Sequence, residues 1–300
     1  MSKKELKDVR MHYKEMSQDY VDQYDSELIK TREEYPANYF RLEIIKRCLE
    51  NFRGDRILDA GVGAGIPLLQ IAEQIKAHNI HAFDYTESMV DISKKMIVNS
   101  GYKKANIYKG DVQEKSCFDK VTNTGLVDVL LMLGVMPHIE DDNTVLANVR
   151  SCMKDGGRAY ISFRNDLFSM FTMNRYTRDL IINKLMDKLP AVIRSAADNK
   201  LQTQMEMNKP LVRETNSEGG VGYDLILSRM HNPLEMETLF KQAGFKDIKL
   251  HWYHYHAAAP YLEGNGISKK DYRDSCMALE GEDHWRGMFL CSAFLVEAIA

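Results

Sequence analysis

The chain contains no run of about eighteen apolar residues, the length a membrane span requires, so no transmembrane helix is expected. The opening Met1-Ser2-Lys3-Lys4-Glu5 leads into no apolar signal core, so export is not expected either. Cysteine is sparse: Cys48, Cys117, Cys152, Cys276 and Cys291 are scattered, odd in number and lack close pairing. That spacing argues against a disulfide scaffold and predicts reduced thiols in a cytoplasmic protein. An excess of one charge is missing as well, because 40 basic residues face 43 acidic ones for a net charge of −3. Nothing in that balance attracts nucleic acid, and no nucleic-acid partner is expected. What remains is a chain of 300 residues, long enough to bury a sizeable core.

The most informative stretch is Ile57-Leu58-Asp59-Ala60-Gly61-Val62-Gly63-Ala64-Gly65. An apolar run that opens into three glycines reads as a buried strand turning sharply into a helix, since glycine accepts positive φ and lets the backbone approach a ligand. Pyrophosphate-binding turns are spaced Gly-x-Gly-x-x-Gly and offer backbone N–H groups to an anion. Here the third glycine comes one residue early, and Asp59 stands beside the turn. A carboxylate there repels phosphate and suits the ammonium of a methionine moiety, which points to S-adenosylmethionine and disfavours a nicotinamide cofactor. Taken alone, the turn fits a tight structural bend equally well.

Three further strand ends support the ligand reading. Asn79-Ile80-His81-Ala82-Phe83-Asp84 ends in an acid nineteen residues after Gly65, close to the separation expected for a ribose-binding carboxylate. Thr86 is the better cap for the helix that follows, which leaves Asp84 for a ligand. Gly110-Asp111-Val112 follows Ala105–Lys109, and Val127–Gly134, including Leu133, runs into Val135-Met136-Pro137-His138. In an open parallel sheet ligands collect at the carboxyl ends of strands, so these loops reinforce one another.

The whole pattern resembles the class I methyltransferase family over roughly residues 40 to 163. The resemblance implies an α/β, Rossmann-like seven-stranded sheet, mostly parallel, flanked by helices, with the last strand antiparallel and a helical cap inserted after the fifth strand. It also implies that Gly61, Gly63 and Gly65 wrap the methionine part of S-adenosylmethionine while Asp59 holds its amino group. Asp84 would bind the ribose diol, Asp111 the adenine amino group with Val112 beside the ring, and Tyr85 and Met89 would flank the adenine, with Leu133 a further cofactor-binding candidate. Within the family the chain is most similar to ubiquinone-biosynthesis O-methyltransferases, through Asn38-Tyr39-Phe40-Arg41-Leu42, Thr172-Met173-Asn174-Arg175 and His254-Tyr255-His256. By that similarity Arg41 pairs with the methionine carboxylate. Where those enzymes carry Glu-His after the fourth strand, this chain has Pro137-His138, and the acceptor therefore need not be the same.

These readings divide the chain into an N-terminal lid or edge helix (1–40), a cofactor-binding core (41–163), a helical cap over the acceptor site (164–222) and the remainder of the core with a final strand hairpin (223–300). Tyr13, Tyr20 and Tyr24 share one helical surface of the first part, and Glu33 to Phe52 reads as a helix. Tyr223–Met230 reads as a strand, followed by a helix start in which Asn232 caps and Pro233 takes the first helical position.

Methyl transfer from a sulfonium needs chiefly an aligned acceptor and excluded water, and a hydroxyl acceptor benefits from a base. His138 is the first candidate, with His254 and His256 behind it, although each fits a structural role equally well. His251, His254 and His256 invite a metal, but no third ligand is evident and no metal site is expected. The expectation is therefore methyl transfer to a small-molecule acceptor, at oxygen first and at an amine second, leaving S-adenosylhomocysteine. A cofactor-binding module without turnover remains open, and the apolar and basic face around Arg175, Arg178, Lys184 and Lys188 admits peripheral contact with a membrane as a minor reading.

Overall fold

A computed structural model describes residues 35–216, 219–262, 266–281 and 284–300. Its centre is a sheet whose inner strands β1 (Arg56–Ala60), β2 (Asn79–Asp84) and β4 (Val127–Met132) are buried almost throughout. Their near-continuous apolar runs suit parallel strands covered on both faces. β3 (Asn106–Lys109) and β5 (Met153–Arg164) flank them, and β6 (Lys246–Tyr255) and β7 (Cys291–Ile299) complete the sheet. The order is β3-β2-β1-β4-β5-β7-β6. β7 runs antiparallel to β5 and β6, and the other pairs are parallel, as the sequence leads one to expect.

Helices cover both faces. α1 (Ala37–Cys48), α2 (Ile66–Ile75) and α3 (Glu87–Asn99) pack on one, and α4 (Lys115–Thr122), α5 (Asp142–Ser151) and the later helix Met236–Gln242 pack on the other. Strand alternation sorts the core between them. Ile57, Val129 and Tyr160 join Leu42, Ile45 and Ile71 on the first face, whereas Leu58, Leu130 and Ile161 join Phe118, Leu146 and Phe240 on the second. Each fully buried Leu, Ile or Phe contributes roughly 1.5–3 kcal/mol of transfer free energy, so these two layers hold the strand tips in place.

α1 is shorter than the helix read over residues 33 to 52, beginning after Pro36, whose ring fixes φ, and ending at Cys48. Glu33, Tyr13, Tyr20 and Tyr24 lie outside the described residues. After β5 the chain is helical, as expected: α6 (Ser169–Thr172), α7 (Arg175–Leu180) continuing as a π turn to Leu185, and α8 (Ala191–Gln204). Tyr223–Met230 is not a strand. Both edges of β5 are already occupied by β4 and β7, and the segment instead makes a short 3-10 turn and lies across the strand-end loops. There the Arg229 N–H donates to the Pro137 carbonyl (2.8 Å) and the His231 N–H to the Arg164 carbonyl (2.8 Å).

Asn232 does cap the next turn, accepting from the Leu234 N–H with Pro233 in the first position, before α9 (Met236–Gln242). The connection from residue 260 to 285 carries α10 (Lys269–Met277). A single turn, α11 (Gly287–Leu290), occupies the start of what reads as the final strand. All five cysteines are free thiols. None of the described helices is long and apolar enough to cross a membrane.

Candidate functional site

β1 lies between β2 and β4, so the connections leaving its neighbours diverge and open a crevice at the carboxyl ends of the strands. A cavity of about 390 Å³ occupies that position, a volume typical of small-molecule sites. Arg41, Asp59, Gly61, Gly63, Asp84, Tyr85, Met89, Asp111, Val112, Leu133 and His138 all line it. Eleven of the fourteen candidates from the sequence are thus brought together; Gly65, His254 and His256 are not in the lining.

The turn after β1 is built as its spacing suggests. Gly61 has φ +95°, and a Cβ there would stand 2.3 Å from Val135 Cγ2, so both backbone and space demand glycine. Its N–H and that of Val62 donate to the Phe83 carbonyl (2.8 and 3.1 Å), tying the β1 turn to β2. Gly63 (φ +52°) is different, because a Cβ on it would meet nothing within 4 Å. It borders open space on the cavity side. Gly65 caps α2 behind this surface.

Asp59 is 2 % exposed, and its Oδ1 is buried with no hydrogen-bond partner. Burial first, and then the nearby Asp84 carboxylate, pushes its pKa well above the usual carboxylate range, with Arg41 opposing. A buried acceptor without a donor is costly. A cationic donor entering the cavity supplies both the missing hydrogen bond and the compensating charge. Arg41, itself buried, reaches the Gly134 turn and lies beside this carboxylate.

Asp84 is more engaged than its sequence position implies. Its Oδ2 accepts from the Gly63 N–H (3.0 Å), and its Oδ1 from the Thr86 N–H and hydroxyl (2.9 and 3.0 Å). Thr86 stands at the N-cap of α3 but makes no side-chain cap bond, because its hydroxyl is spent on Asp84. This corrects the expectation that Thr86 would cap α3 with its side chain. Burial raises the pKa of Asp84, and these donors partly offset the rise. Each oxygen retains further acceptor capacity toward a ligand. Asp111 Oδ1 accepts from the Gln113 N–H (2.9 Å), and Asn148 on α5 donates to the Val112 carbonyl (3.2 Å), fixing the loop that follows β3.

The other side of the cavity is assembled from distant segments. His138 ends a 3-10 turn, is 9 % exposed, and donates from Nδ1 to the Leu227 carbonyl (2.6 Å). With the proton on Nδ1, Nε2 is the basic nitrogen of the neutral ring. Its ring meets Tyr223 edge-on, with centroids 6.1 Å apart. Arg164, at the tip of β5, lies over the same tyrosine and donates to Ser228 Oγ. Ser162 accepts from the Gly134 N–H (2.7 Å), and Tyr253 and Ala293, paired across β6 and β7, close the wall. The strand-end rule could have flagged Arg164, the last residue of β5, but Tyr223, Tyr253 and Ala293 carry no local sequence signal.

His254 and His256 lie outside this wall. His254, at φ +63°, stacks between Tyr35 (4.8 Å) and His256 (5.0 Å), and His256 packs on Phe168 (4.5 Å). Burial pushes His254 down to about 4 and His256 down to about 3, so both rings are neutral near pH 7. As base candidates they are separated from the cavity that His138 faces. Among the described residues, those from 165 to 222 supply no lining residue either; Tyr223, immediately after them, does. Thr172-Met173-Asn174-Arg175 is a helix start: Asn174 accepts from the Tyr176 N–H, Thr177 Oγ1 accepts from the Asn174 N–H, and Arg175 pairs with Asp224.

The methyltransferase-domain family model matches residues 51–244. The ubiquinone biosynthesis O-methyltransferase of Bordetella avium is 27% identical over 131 residues, covering 44% of this chain and 52% of that protein. The chain thus spans about half the length of the curated relative it matches. A Haloferax volcanii methyltransferase, solved with the Trm112 methyltransferase activator, superposes over 96% of this chain and 97% of its own at a TM-score of 0.54 and 11% identity. The methyltransferase domain of a bacterial Hen1 does so over 88% and 100% at 0.50 and 10%. These two share the fold, and with well over half of its length under the family model, the chain belongs to the methyltransferase-domain family.

Proposed function

We propose that the chain is an S-adenosylmethionine-dependent methyltransferase acting on a small-molecule acceptor, at a hydroxyl oxygen. The observation that carries this is Asp59: a buried carboxylate, short of one donor, beside a glycine turn that leaves open space at Gly63. Those residues fit the cofactor. Asp59 takes the amino group and Arg41 the carboxylate of the methionine part, Asp84 the ribose diol, and Asp111 with the Val112 backbone the adenine between Tyr85, Met89 and Leu133. When bound, S-adenosylmethionine supplies a methyl group already activated by its sulfonium.

The chain's own residues then have three tasks. The β1 and β4 turns hold the cofactor end of the cavity rigid, Tyr223, Tyr253 and Phe163 exclude water from the acceptor end, and His138 receives the hydroxyl proton at Nε2. Oxygen as the acceptor atom is supported by the name of the B. avium relative and by the presence of a suitable base. The segment 164–222 acts as a cap by bracing Tyr223: Arg175 and Arg213 both engage Asp224, its neighbour. We place the protein in the cytoplasm on its free thiols.

Calorimetric titration of S-adenosylhomocysteine into the purified chain tests the cofactor, with one saturable site expected. Absence of binding overturns the reading. Labelled methyl donor incubated with a metabolite extract then tests turnover. A product methylated on oxygen supports the proposal, methylation on nitrogen overturns the acceptor atom, and saturable binding without transfer overturns catalysis.

A further inference from the structure

On the face of the sheet that α1 covers, three side chains from distant parts of the chain converge. Cys48 lies in the last turn of α1, His251 in the middle of β6 and Glu297 near the end of β7. His251 Nε2 is 3.7 Å from Cys48 Sγ and 3.1 Å from Glu297 Oε2, and the three atoms all lie within 4.8 Å of one another. None of the three lines the cavity.

We propose that Cys48, His251 and Glu297 form a binding site for a divalent cation of the zinc class. A thiolate, an imidazole and a carboxylate are the three ligand types such an ion combines. Metal–ligand bonds of about 2.0–2.3 Å at tetrahedral angles place neighbouring ligand atoms roughly 3.3–3.6 Å apart. The two edges at His251 straddle that range and the third, from Cys48 to Glu297, is no longer than 4.8 Å, so seating an ion draws these two side chains together by up to about an ångström. A water molecule completes the coordination, since Cys48 and His251 are only half-buried.

The surroundings orient the ligands in the manner of an outer shell. Glu297 Oε1 accepts from the Tyr160 hydroxyl (3.0 Å) and from Arg158 Nη1 (3.4 Å), which turns Oε2 toward His251. The same Arg158 Nη1 donates to the Cys48 carbonyl (2.8 Å), fixing the end of α1. On binding, the S–H bond of Cys48 breaks, a sulfur–metal bond forms and the proton leaves to solvent, as does any proton on Nε2. The Glu297 charge and the new thiolate together balance the dication, and Arg158 remains occupied by its own hydrogen bonds. The ion pins the end of α1 to the β6–β7 hairpin. The other end of α1 carries Asn38 and Arg41 into the cavity, so the site stiffens a cofactor-binding element without touching the cofactor.

The test uses the full chain without an affinity tag, stripped with a chelator and titrated with zinc chloride by calorimetry and with cobalt(II) by absorption spectroscopy. One ion per chain, a thiolate-to-cobalt charge-transfer band and a rise in thermal midpoint with zinc are expected. Cys48→Ser should abolish the band, and Glu297→Gln should weaken zinc binding by at least tenfold. No stoichiometric binding to the wild-type chain, or a thiolate band that persists in a folded Cys48→Ser protein, overturns the proposal. Should a variant fail to fold, the wild-type titration and band decide. S-adenosylhomocysteine binding is measured separately and bears only on the cavity.

Discussion

The two walls of the cavity are built in opposite ways. The wall formed by the tips of β1 to β4 comes from short local stretches, each a strand end and the few residues after it, within 59–64, 83–89, 110–113 and 133–135. The facing wall draws on five separated places: the 3-10 turn around His138, the β5 tip from Ser162 to Arg164, and single residues at Tyr223 after the helical segment and at Tyr253 and Ala293 on two antiparallel strands. The first wall is held by backbone bonds between neighbouring turns, such as Gly61 to Phe83, and the second by long-range side-chain contacts, such as His138 to Leu227. A ligand common to many relatives can be met by the first kind of wall, whose geometry is local. One that differs among relatives calls for the second, where single substitutions reshape the surface.

The sharpest way to break this comparison is at Asp59. Asp59→Asn should weaken S-adenosylhomocysteine binding by about 100-fold, near 3 kcal/mol, because a buried charge partner is lost while shape is kept. The ligand-free protein should not lose stability, since a buried amide costs less than a buried, unpartnered carboxylate. Calorimetry and thermal unfolding on the same variant read the two effects separately; unchanged affinity would remove Asp59 from the cofactor wall. His138→Ala tests the opposite wall. Turnover should fall by about two orders of magnitude while S-adenosylhomocysteine binds as before, if the imidazole accepts the acceptor's proton. Single-turnover kinetics with bound labelled donor measures this, and a variant at full rate would leave His138 as a structural residue holding Leu227.

How much of each wall was legible follows from the same contrast. Asp59, Gly61 and Gly63 were readable because one strand and one turn place them, and strand order then brings Asp84, Asp111 and Leu133 alongside. The error lay in Thr86: the sequence offers it as a cap, but its hydroxyl donates to the buried Asp84 carboxylate and makes no cap bond to α3. Tyr223–Met230 carries a strand-like composition, yet β5 has no edge left for it to join. Composition states what a segment prefers, and only the finished sheet shows whether a partner remains. His254 and His256 echo the family at the right distance along the chain, but His254 stacks on Tyr35 and His256, and neither ring is in the cavity lining. Cys48, His251 and Glu297 were invisible as a group because three elements separate in sequence must pack before they meet.

Acid should act on the scaffold of the first wall through His81. This histidine in β2 is 6 % exposed, its Nε2 accepts from Arg56 (3.1 Å), and burial together with the Arg56 charge pushes its pKa down to about 4. The folded chain therefore binds its proton less readily than the unfolded chain, whose histidine titrates near 6.5. The resulting stability is present above pH 6.5 and is lost as pH falls toward 4. Urea unfolding at pH 7 and at pH 4.5 should show His81→Gln losing less than wild type over that interval, by roughly 2 kcal/mol. Equal losses in the two proteins would mean that His81 does not set the acid limit of the β1–β2–β3 side.

The smallest expected effect probes the far wall through its support. Asn174 caps α7, accepting from the Tyr176 N–H (2.9 Å) and from the Thr172 hydroxyl (2.8 Å), and the next residue, Arg175, reaches Asp224 beside Tyr223. Loss of an N-cap costs about 1 kcal/mol, through an unsatisfied N–H at the helix start. Asn174→Ala should lower stability by about that much, and Asn174→Ser should recover most of it, because serine caps comparably. S-adenosylhomocysteine affinity should not change in either variant, since none of the described residues between 165 and 222 lines the cavity. Acceptor KM should rise in Asn174→Ala, because α7 positions Arg175 and, through Asp224, the ring of Tyr223. A rise in KM that serine reverses would tie the helical segment to the acceptor wall, and an unchanged KM would mean that the other neighbours of Tyr223, among them Arg164, Arg213 and His138, hold it without Arg175.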